Sequence, residues 1–200
     1  MRVLVTGAGG FVAAHLVEFL RREQPQAAVF GTARPQTSIT LGPAGDITSV
    51  EADLNDPAAA ERVVGEVTPD RIVHLAGQSS VHRSWIEPGA TLRINVLGLA
   101  NLLDAVRKRG LRPAVLVVGS AEEYGMVDPS EMPLPETTPL RPSSPYAVSK
   151  VAQAALARLY GPAGGMKVTL TRTFPHTGPG RGETFAESSF ARQIAEIEAG

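Results

Sequence analysis

The chain contains no cysteine, which excludes disulfides and thiolate metal sites and suits the cytoplasm without requiring it. No apolar run approaches the roughly 20 residues of a membrane span. The start, a single arginine and then a β-prone run, lacks the layout of a secretory signal. Nor is there a basic stripe or a block of like charge: 19 Lys and Arg against 20 Asp and Glu leave a net charge of -1. Neither nucleic acid nor a membrane surface is therefore expected as a partner. The four histidines show no metal-ligand spacing such as His-Glu-x-x-His, and no metal is expected. Internal repeats are absent, and only the proline-rich stretch Pro129 to Pro145 reads as a long irregular loop. What remains is a chain of 200 residues, 43% of them hydrophobic, enough for one globular core with a small-molecule partner.

The most informative stretch is Arg2 to Leu20. Val3, Leu4 and Val5 form a short β-prone run, and Val12, Leu16, Phe19 and Leu20 recur at helical spacing, predicting one apolar helix face. Between them Gly7, Gly9 and Gly10 make a turn. Glycine there permits φ > 0 and close backbone approach, and the N–H groups at the following helix start favour an anion such as a pyrophosphate. A dinucleotide clamp is expected, with a bare tight turn as the competing reading.

Strands are predicted at 27–33, 47–51, 71–76 and 114–118. Asp56-Pro57 supplies an N-cap and an N1 proline for a helix through Val67. A long helix is expected from Thr91 to Arg109, with Leu92, Val96, Leu99, Leu103 and Val106 on one face and Gly110 as its C-terminal stop. This alternation argues for a doubly wound α/β fold, a parallel sheet with ligands beyond the carboxyl ends of its strands. Those ends carry Gly7 to Gly10, Arg34, Asp53, Ala76-Gly77-Gln78 and Gly119-Ser120. Arg34, where an acid would accept from a ribose 2′-hydroxyl, favours the 2′-phosphate of NADP, with NAD as the alternative. An exposed arginine in the long loop through Pro35 to Gly45 is the competing reading. Asp53 could accept from an adenine amino group or be a plain loop aspartate.

Ser144 to Tyr160 reads as another helix, with Val148, Val151, Leu156 and Leu159 as apolar positions. Tyr146 and Lys150, at i and i+4, share a face. An ammonium about 4 Å from a phenol at an effective dielectric near 20 contributes roughly 4 kcal/mol, lowering its pKa by about 3 units toward the working range. In an arbitrary sequence such a pair is a solvated couple.

Here the surrounding motifs are specific. Thr6 to Phe11, Asp53-Leu54, His74 to Gly77, Asn95, Gly119-Ser120 and Tyr146 to Lys150 together resemble an extended short-chain dehydrogenase/reductase. Gln78 to Val81 with Ser84-Trp85, Gly119 to Met126, Arg141 to Tyr146, Arg172 with His176 to Gly180, and Ser189 to Ile194 are similar to the GDP-4-keto-6-deoxy-D-mannose reductases. The resemblance runs from Met1 to Gly200. It implies a Rossmann-type NAD(P)-binding domain over residues 1–172 and, over 173–200, only the beginning of a substrate-binding region. It also implies that NADPH reduces the 4-keto group of a nucleotide-linked 4-keto-6-deoxy sugar. Tyr146 would protonate the C4 oxygen, Ser120 would hydrogen-bond it, and Lys150 would hold the nicotinamide ribose and acidify the tyrosine. Asn95 would support Lys150 through a water. The cofactor would lie along Gly7, Gly9, Gly10, Phe11, Val12, Arg34, Asp53, Leu54, Leu75, Ala76 and Gly77. Substrate would meet Ser79, Ser80, Glu122, Pro175, His176 and Arg181.

Two departures stand out. Ala13 occupies the third glycine position of the fingerprint, where it could crowd helix–sheet packing. Pro175 replaces an asparagine that commonly helps hold the nucleotide sugar, and proline offers neither a side-chain amide nor an N–H. Glu122, two residues after Ser120, also suits a GDP-mannose 4,6-dehydratase, which needs a carboxylate to remove a C5 proton. A sugar-nucleotide 4-epimerase and a non-catalytic dinucleotide sensor are further readings. A last helix is expected from Phe185 to Ala199 with Phe190, Ile194 and Ile197 on one exposed face. The resemblance further implies a homodimer through the helices 91–109 and 144–160.

Overall fold

The computed structural model describes residues 1–35 and 47–200; the remainder of the loop expected through Gly45 lies outside them. Six parallel strands are ordered β3-β2-β1-β4-β5-β6: β1 (Arg2–Thr6), β2 (Ala28–Ala33), β3 (Thr48–Glu51), β4 (Arg71–His74), β5 (Ala114–Val118) and β6 (Lys167–Thr171). The helices are α1 (Phe11–Glu23), α2 (Pro57–Val67), α3 (Val81–Ile86), α4 (Pro88–Leu92), α5 (Gly98–Lys108), α6 (Pro145–Gly164) and α7 (Ala186–Ala199). The expected doubly wound sheet is thus observed. β1 alternates its core residues between the two faces. Val3 and Val5 pack on α1 with Ala13, Val17 and Val29, while Leu4 and Ile72 join α2 and α5 through Val63, Leu99 and Leu102. Strand order reverses between β1 and β4, so the crevice that binds ligands in such sheets opens beyond their carboxyl ends.

Three helix faces differ from expectation. On α1 the stripe toward the sheet is Ala13, Leu16, Val17 and Leu20, with Ala13 and Val17 in place of the predicted Val12 and Phe19. Val12 and Phe19 are exposed, and the Arg22 guanidinium covers the Phe19 ring. A methyl group at position 13 fits the close helix–sheet contact, so Ala13 is accommodated rather than crowded.

The helix expected from Thr91 begins at Pro88 and is interrupted by a π-helical turn at Arg93–Leu97. One extra residue in that turn rotates the segment before it by about 100° relative to the segment after it. Leu92 is therefore exposed, and Thr91 and Asn95 are buried in its stead. Beyond the turn Leu99, Leu103 and Val106 are buried as expected, joined by Leu102. The predicted stop holds: Gly110 at φ 67° donates to Arg107 O, and Leu111 donates to Val106 O.

On α6, Ser144 caps the start by accepting from Ala147 N, and the helix runs four residues past Tyr160 to a left-handed Gly165. Its buried face is polar: Tyr146, Ser149, Lys150 and Gln153 lie inside while Val148 and Leu159 are exposed. Those polar groups bond one another, which makes their burial tolerable and defeats a reading based on apolar periodicity. α7 matches expectation, with Phe190, Ile194 and Ile197 exposed. Among the described residues no helix is long and apolar enough to cross a membrane.

Candidate active site

Gly7 ends β1 at φ 71°, and a Cβ there would stand 2.8 Å from the backbone of Ala76. Only glycine lets the β1 and β4 ends approach this closely. α1 starts directly after the turn, with Gly10 as its cap, so the Phe11 and Val12 N–H groups have no partner within the helix and the positive end of its dipole faces the turn. Around it opens a cleft of about 450 Å³ lined by Gly7, Gly9, Gly10, Arg34, Asp53, Leu54, Leu75, Ala76, Gly77, Ser79 and Ser80, all singled out from the sequence. Gln78, expected at the end of β4, also lines it, as do Thr32, Asn55, Arg83, Thr184 and Phe185, which were not anticipated as cleft residues. A glycine cradle, a helix start and Arg34 in one concave surface fit a phosphorylated dinucleotide. Phe11 and Val12, also expected along the cofactor, are not among its lining residues and follow Gly10 as the first residues of α1. Asp53 accepts from the Asn55 backbone and side-chain amides, which orients it beside the cleft.

At the end of β5, Ser120 caps a short 3₁₀ turn (Ala121–Tyr124), and its side chain lies close enough to the Tyr146 hydroxyl to lower that group's pKa. Lys150 is nearly buried; its ammonium donates to Val118 O and Gln153 Oε1, both at 2.9 Å. The expected acidified phenol is not found. Burial, the largest effect, pushes the Tyr146 pKa above 10.0; the neighbouring Ser120 side chain opposes this, and the charges of Glu122 and Glu123 add to the rise. The ammonium sits 6.0 Å from the ring centre with its bonds directed elsewhere, so it does not offset burial. Burial in turn lowers Lys150 to about 8, against a raising effect from Glu123.

Residues 4–200 match the family model described as GDP-mannose 4,6 dehydratase. The chain belongs to the GDP-mannose 4,6-dehydratase family. A GDP-6-deoxy-D-mannose reductase of Pseudomonas aeruginosa is 36% identical over 199 residues, which are 100% of this chain and 60% of that protein. A GDP-mannose 4,6-dehydratase of Yersinia enterocolitica is 34% identical over 212 residues, 100% of this chain and 56% of that one. The solved structure of RMD from Pseudomonas aeruginosa complexed with NADPH superposes with a TM-score of 0.85 at 35% identity, over 100% of this chain and 63% of the other. Similarity to extended short-chain dehydrogenase/reductases, expected from the motifs, is thereby borne out. The chain spans about three fifths of the relatives it matches.

In this member of the GDP-mannose 4,6-dehydratase family Asn95 is connected to Lys150 through Gln153. The Asn95 side chain binds Gln78 N and O and Ser149 Oγ. Its backbone carbonyl accepts from Gln153 Nε2 at 3.0 Å, and Gln153 Oε1 faces Lys150. Gly77 leaves room for this: a Cβ there would be 3.1 Å from Asn95 Oδ1. Glu123, fully buried, accepts from Ser120 N at 2.9 Å and pairs with Arg172 at 3.2 Å. Glu123 and Gln153 were not anticipated as site residues.

The candidate substrate residues divide into groups. Ser79 and Ser80 lie in the nucleotide cleft, Ser80 capping α3, and Glu122 is exposed within electrostatic reach of Tyr146. Pro175, His176 and Arg181 sit on the segment after β6. There His176 stacks on Phe11 at 6.3 Å, Pro179 O meets His15 Nε2 at 2.9 Å, and Arg181 covers the Phe185 ring while pairing with Glu187. These contacts hold the segment against the start of α1, so that Thr184 and Phe185 reach the cleft.

Proposed function

We propose that this chain carries the dinucleotide site and catalytic helix of an NADPH-dependent reductase. Its substrate is the 4-keto group of a nucleotide-linked 4-keto-6-deoxy sugar such as GDP-4-keto-6-deoxy-D-mannose. The observation that carries this reading is the buried pair Tyr146 and Lys150 on one helix face, with the Ser120 side chain beside the phenol and Lys150 Nζ 3.9 Å from where a Cβ on the cleft residue Gly77 would stand; it is supported by similarity to a GDP-6-deoxy-D-mannose reductase. Gly7, Gly9 and Gly10 with the Phe11 and Val12 amides hold the pyrophosphate, and Arg34 pairs with the 2′-phosphate that separates NADP from NAD. Asp53 and Leu54 meet the adenine, while Leu75, Ala76 and Gly77 face the rest of the dinucleotide. The bound nicotinamide supplies hydride to C4. Tyr146, kept protonated by burial, gives its proton to the C4 oxygen, and Ser120 donates a hydrogen bond to the same atom as negative charge develops on it. Lys150 binds the nicotinamide ribose and puts a positive charge behind the phenol. Residues 173–200 begin the substrate-binding region, where Ser79, Ser80, Glu122, His176 and Arg181 meet the sugar nucleotide; Pro175 has no N–H or side-chain amide to offer there.

A second reading, GDP-mannose 4,6-dehydratase, draws on Glu122, an exposed carboxylate close enough to raise the Tyr146 pKa and so able to take a C5 proton. Incubation with GDP-mannose and NADP in the absence of reductant separates the two. A 4-keto product identifies the dehydratase, whereas oxidation of NADPH by GDP-4-keto-6-deoxy-D-mannose alone identifies the reductase. Bound nucleotide with turnover in neither assay identifies a sensor. The working form is a cytoplasmic homodimer joined through helices 91–109 and 144–160, a reading supported by the exposed Leu97, Val148 and Leu159 on those segments. Sedimentation equilibrium at a monomer mass would refute it.

A further inference from the structure

Gln153 is an amide with 1% of its surface exposed, lying one helical turn beyond Lys150. A buried amide is costly unless both its ends are bonded. Both are: Nε2 donates to the Asn95 carbonyl at 3.0 Å, and Oε1 accepts from Lys150 Nζ at 2.9 Å. Asn95 lies in the π-helical turn Arg93–Leu97, where hydrogen bonding departs from the α-helical pattern. Because the Asn95 carbonyl can only accept, it fixes the amide with its oxygen toward Lys150. An ammonium has three donor hydrogens. Gln153 takes one and Val118 O a second. The third is left for the side on which Gly77, without a side chain, opens to the nucleotide cleft; a Cβ at Gly77 would stand 3.9 Å from Nζ.

We propose that Gln153 is a positioning residue for Lys150, its amide locked by the Asn95 carbonyl so that the remaining ammonium hydrogen points into the cofactor cleft. The assignment rests on the reading of Tyr146 and Lys150 as the catalytic pair. Three other titratable groups surround Lys150: Tyr146 on its own helix, Glu123 on the turn after β5, and His74 at the end of β4. His74 is held neutral by burial, with a pKa of about 3, and Tyr146 is protonated. Glu123 and the Gln153 oxygen are thus the stabilising neighbours that substitution can alter, and Gln153 is the one that spans two helical elements.

The chain has three lysines, so selective ¹³C/¹⁵N-lysine labelling resolves Lys150 by NMR, with Lys150→Met assigning its signal. Wild type should titrate near 8. Gln153→Leu removes the acceptor and should lower the midpoint by about one unit, while Gln153→Glu replaces it with a negative charge and should raise it by at least as much. Gln153→Asn, too short to span both partners, should follow Gln153→Leu. NADPH affinity, read by fluorescence, should fall about tenfold in Gln153→Leu, the loss expected for one misdirected charge-assisted hydrogen bond. A purely structural role would destabilise all three variants alike without moving the titration in opposite directions. Folded variants whose Lys150 midpoint stays at the wild-type value, or moves the same way in Gln153→Leu and Gln153→Glu, overturn the proposal. A wild-type chain that binds no NADPH overturns instead the reading of the site, which the titration does not measure.

Discussion

Lys150 Nζ stands 6.0 Å from the centre of the Tyr146 ring, and its hydrogen bonds run to Val118 and Gln153, while the Ser120 side chain lies beside the phenol. The two side chains share a helix face, yet the charge does not acidify the hydroxyl. Burial leaves the phenol a reservoir of one proton at neutral pH, the state a reductase needs before hydride arrives.

Tyr146 should therefore titrate above its ordinary value. The difference in absorbance at 295 nm between wild type and Tyr146→Phe should have its midpoint above 10.0. The same variant should lose about 10²–10⁴ in kcat and keep its NADPH affinity. A difference midpoint near 7, or unimpaired turnover, would refute a general-acid role in the free protein's resting state.

Lys150, lowered to about 8 by burial, binds its proton less tightly folded than unfolded, where 10.5 applies. Between those values the unfolded state holds more protons, so stability rises with pH. Compared with Lys150→Met, wild type should gain about 3 kcal/mol between pH 8 and pH 10.5. Urea unfolding across this range reads the change, and parallel curves for the two proteins would contradict it. The change of that difference with pH removes titrating groups common to both proteins and any pH-independent cost of the substitution.

The parts that sequence carries best are those in which one residue type has one local job. Gly7 needs a positive φ, Asp56-Pro57 starts α2, Gly110 ends α5, and Val3 to Val5 make a buried strand; each is legible because the cause lies within a few residues. The α1 stripe defeats a reading by spacing because Phe19 is large and apolar but lies under Arg22 on the outer surface. Spacing also cannot register the extra residue in the π-helical turn, which displaces Leu92 from the core. Gln153 and Glu123 give no signal at all. An isolated amide and the second of two adjacent acids look like surface residues until the fold brings Asn95, Lys150, Ser120 and Arg172 against them.

His74 lies at the inner end of β4, its Nδ1 paired with Thr6 Oγ1 at 2.9 Å and its Nε2 without a partner. Burial first, then the Lys150 charge, brings its pKa from 6.5 to about 3. Below pH 6.5 the unfolded chain takes up a proton that the folded one refuses, so stability falls as the pH drops. Relative to His74→Phe, wild type should lose up to about 5 kcal/mol between pH 6.5 and pH 3. Equal acid sensitivity of the two proteins in urea titrations would remove His74 as a cause.

Glu123 is the remaining buried charge of the site. One carboxylate oxygen receives the Ser120 amide and the other the Arg172 guanidinium, tying the end of β5 to the end of β6. Arg172 also reaches Tyr124 Oη and Glu136 O, so the pair anchors the irregular loop that precedes α6. Removing the acid leaves Arg172 without its counter-charge and the Ser120 amide without an acceptor; Glu123→Ala should cost about 3–5 kcal/mol. Glu123→Gln keeps an acceptor for the amide and loses the charge, so it should cost less while still lowering the Lys150 midpoint, because Glu123 raises it in the native protein. The Ser120 amide is then held by a neutral acceptor, more weakly than by the carboxylate, and the kcat of Glu123→Gln should fall with little change in KM for NADPH. If Glu123→Gln matched wild type in both urea stability and the Lys150 titration, the carboxylate would be acting as a neutral acceptor, and the charge would have no part in holding Ser120 against the phenol.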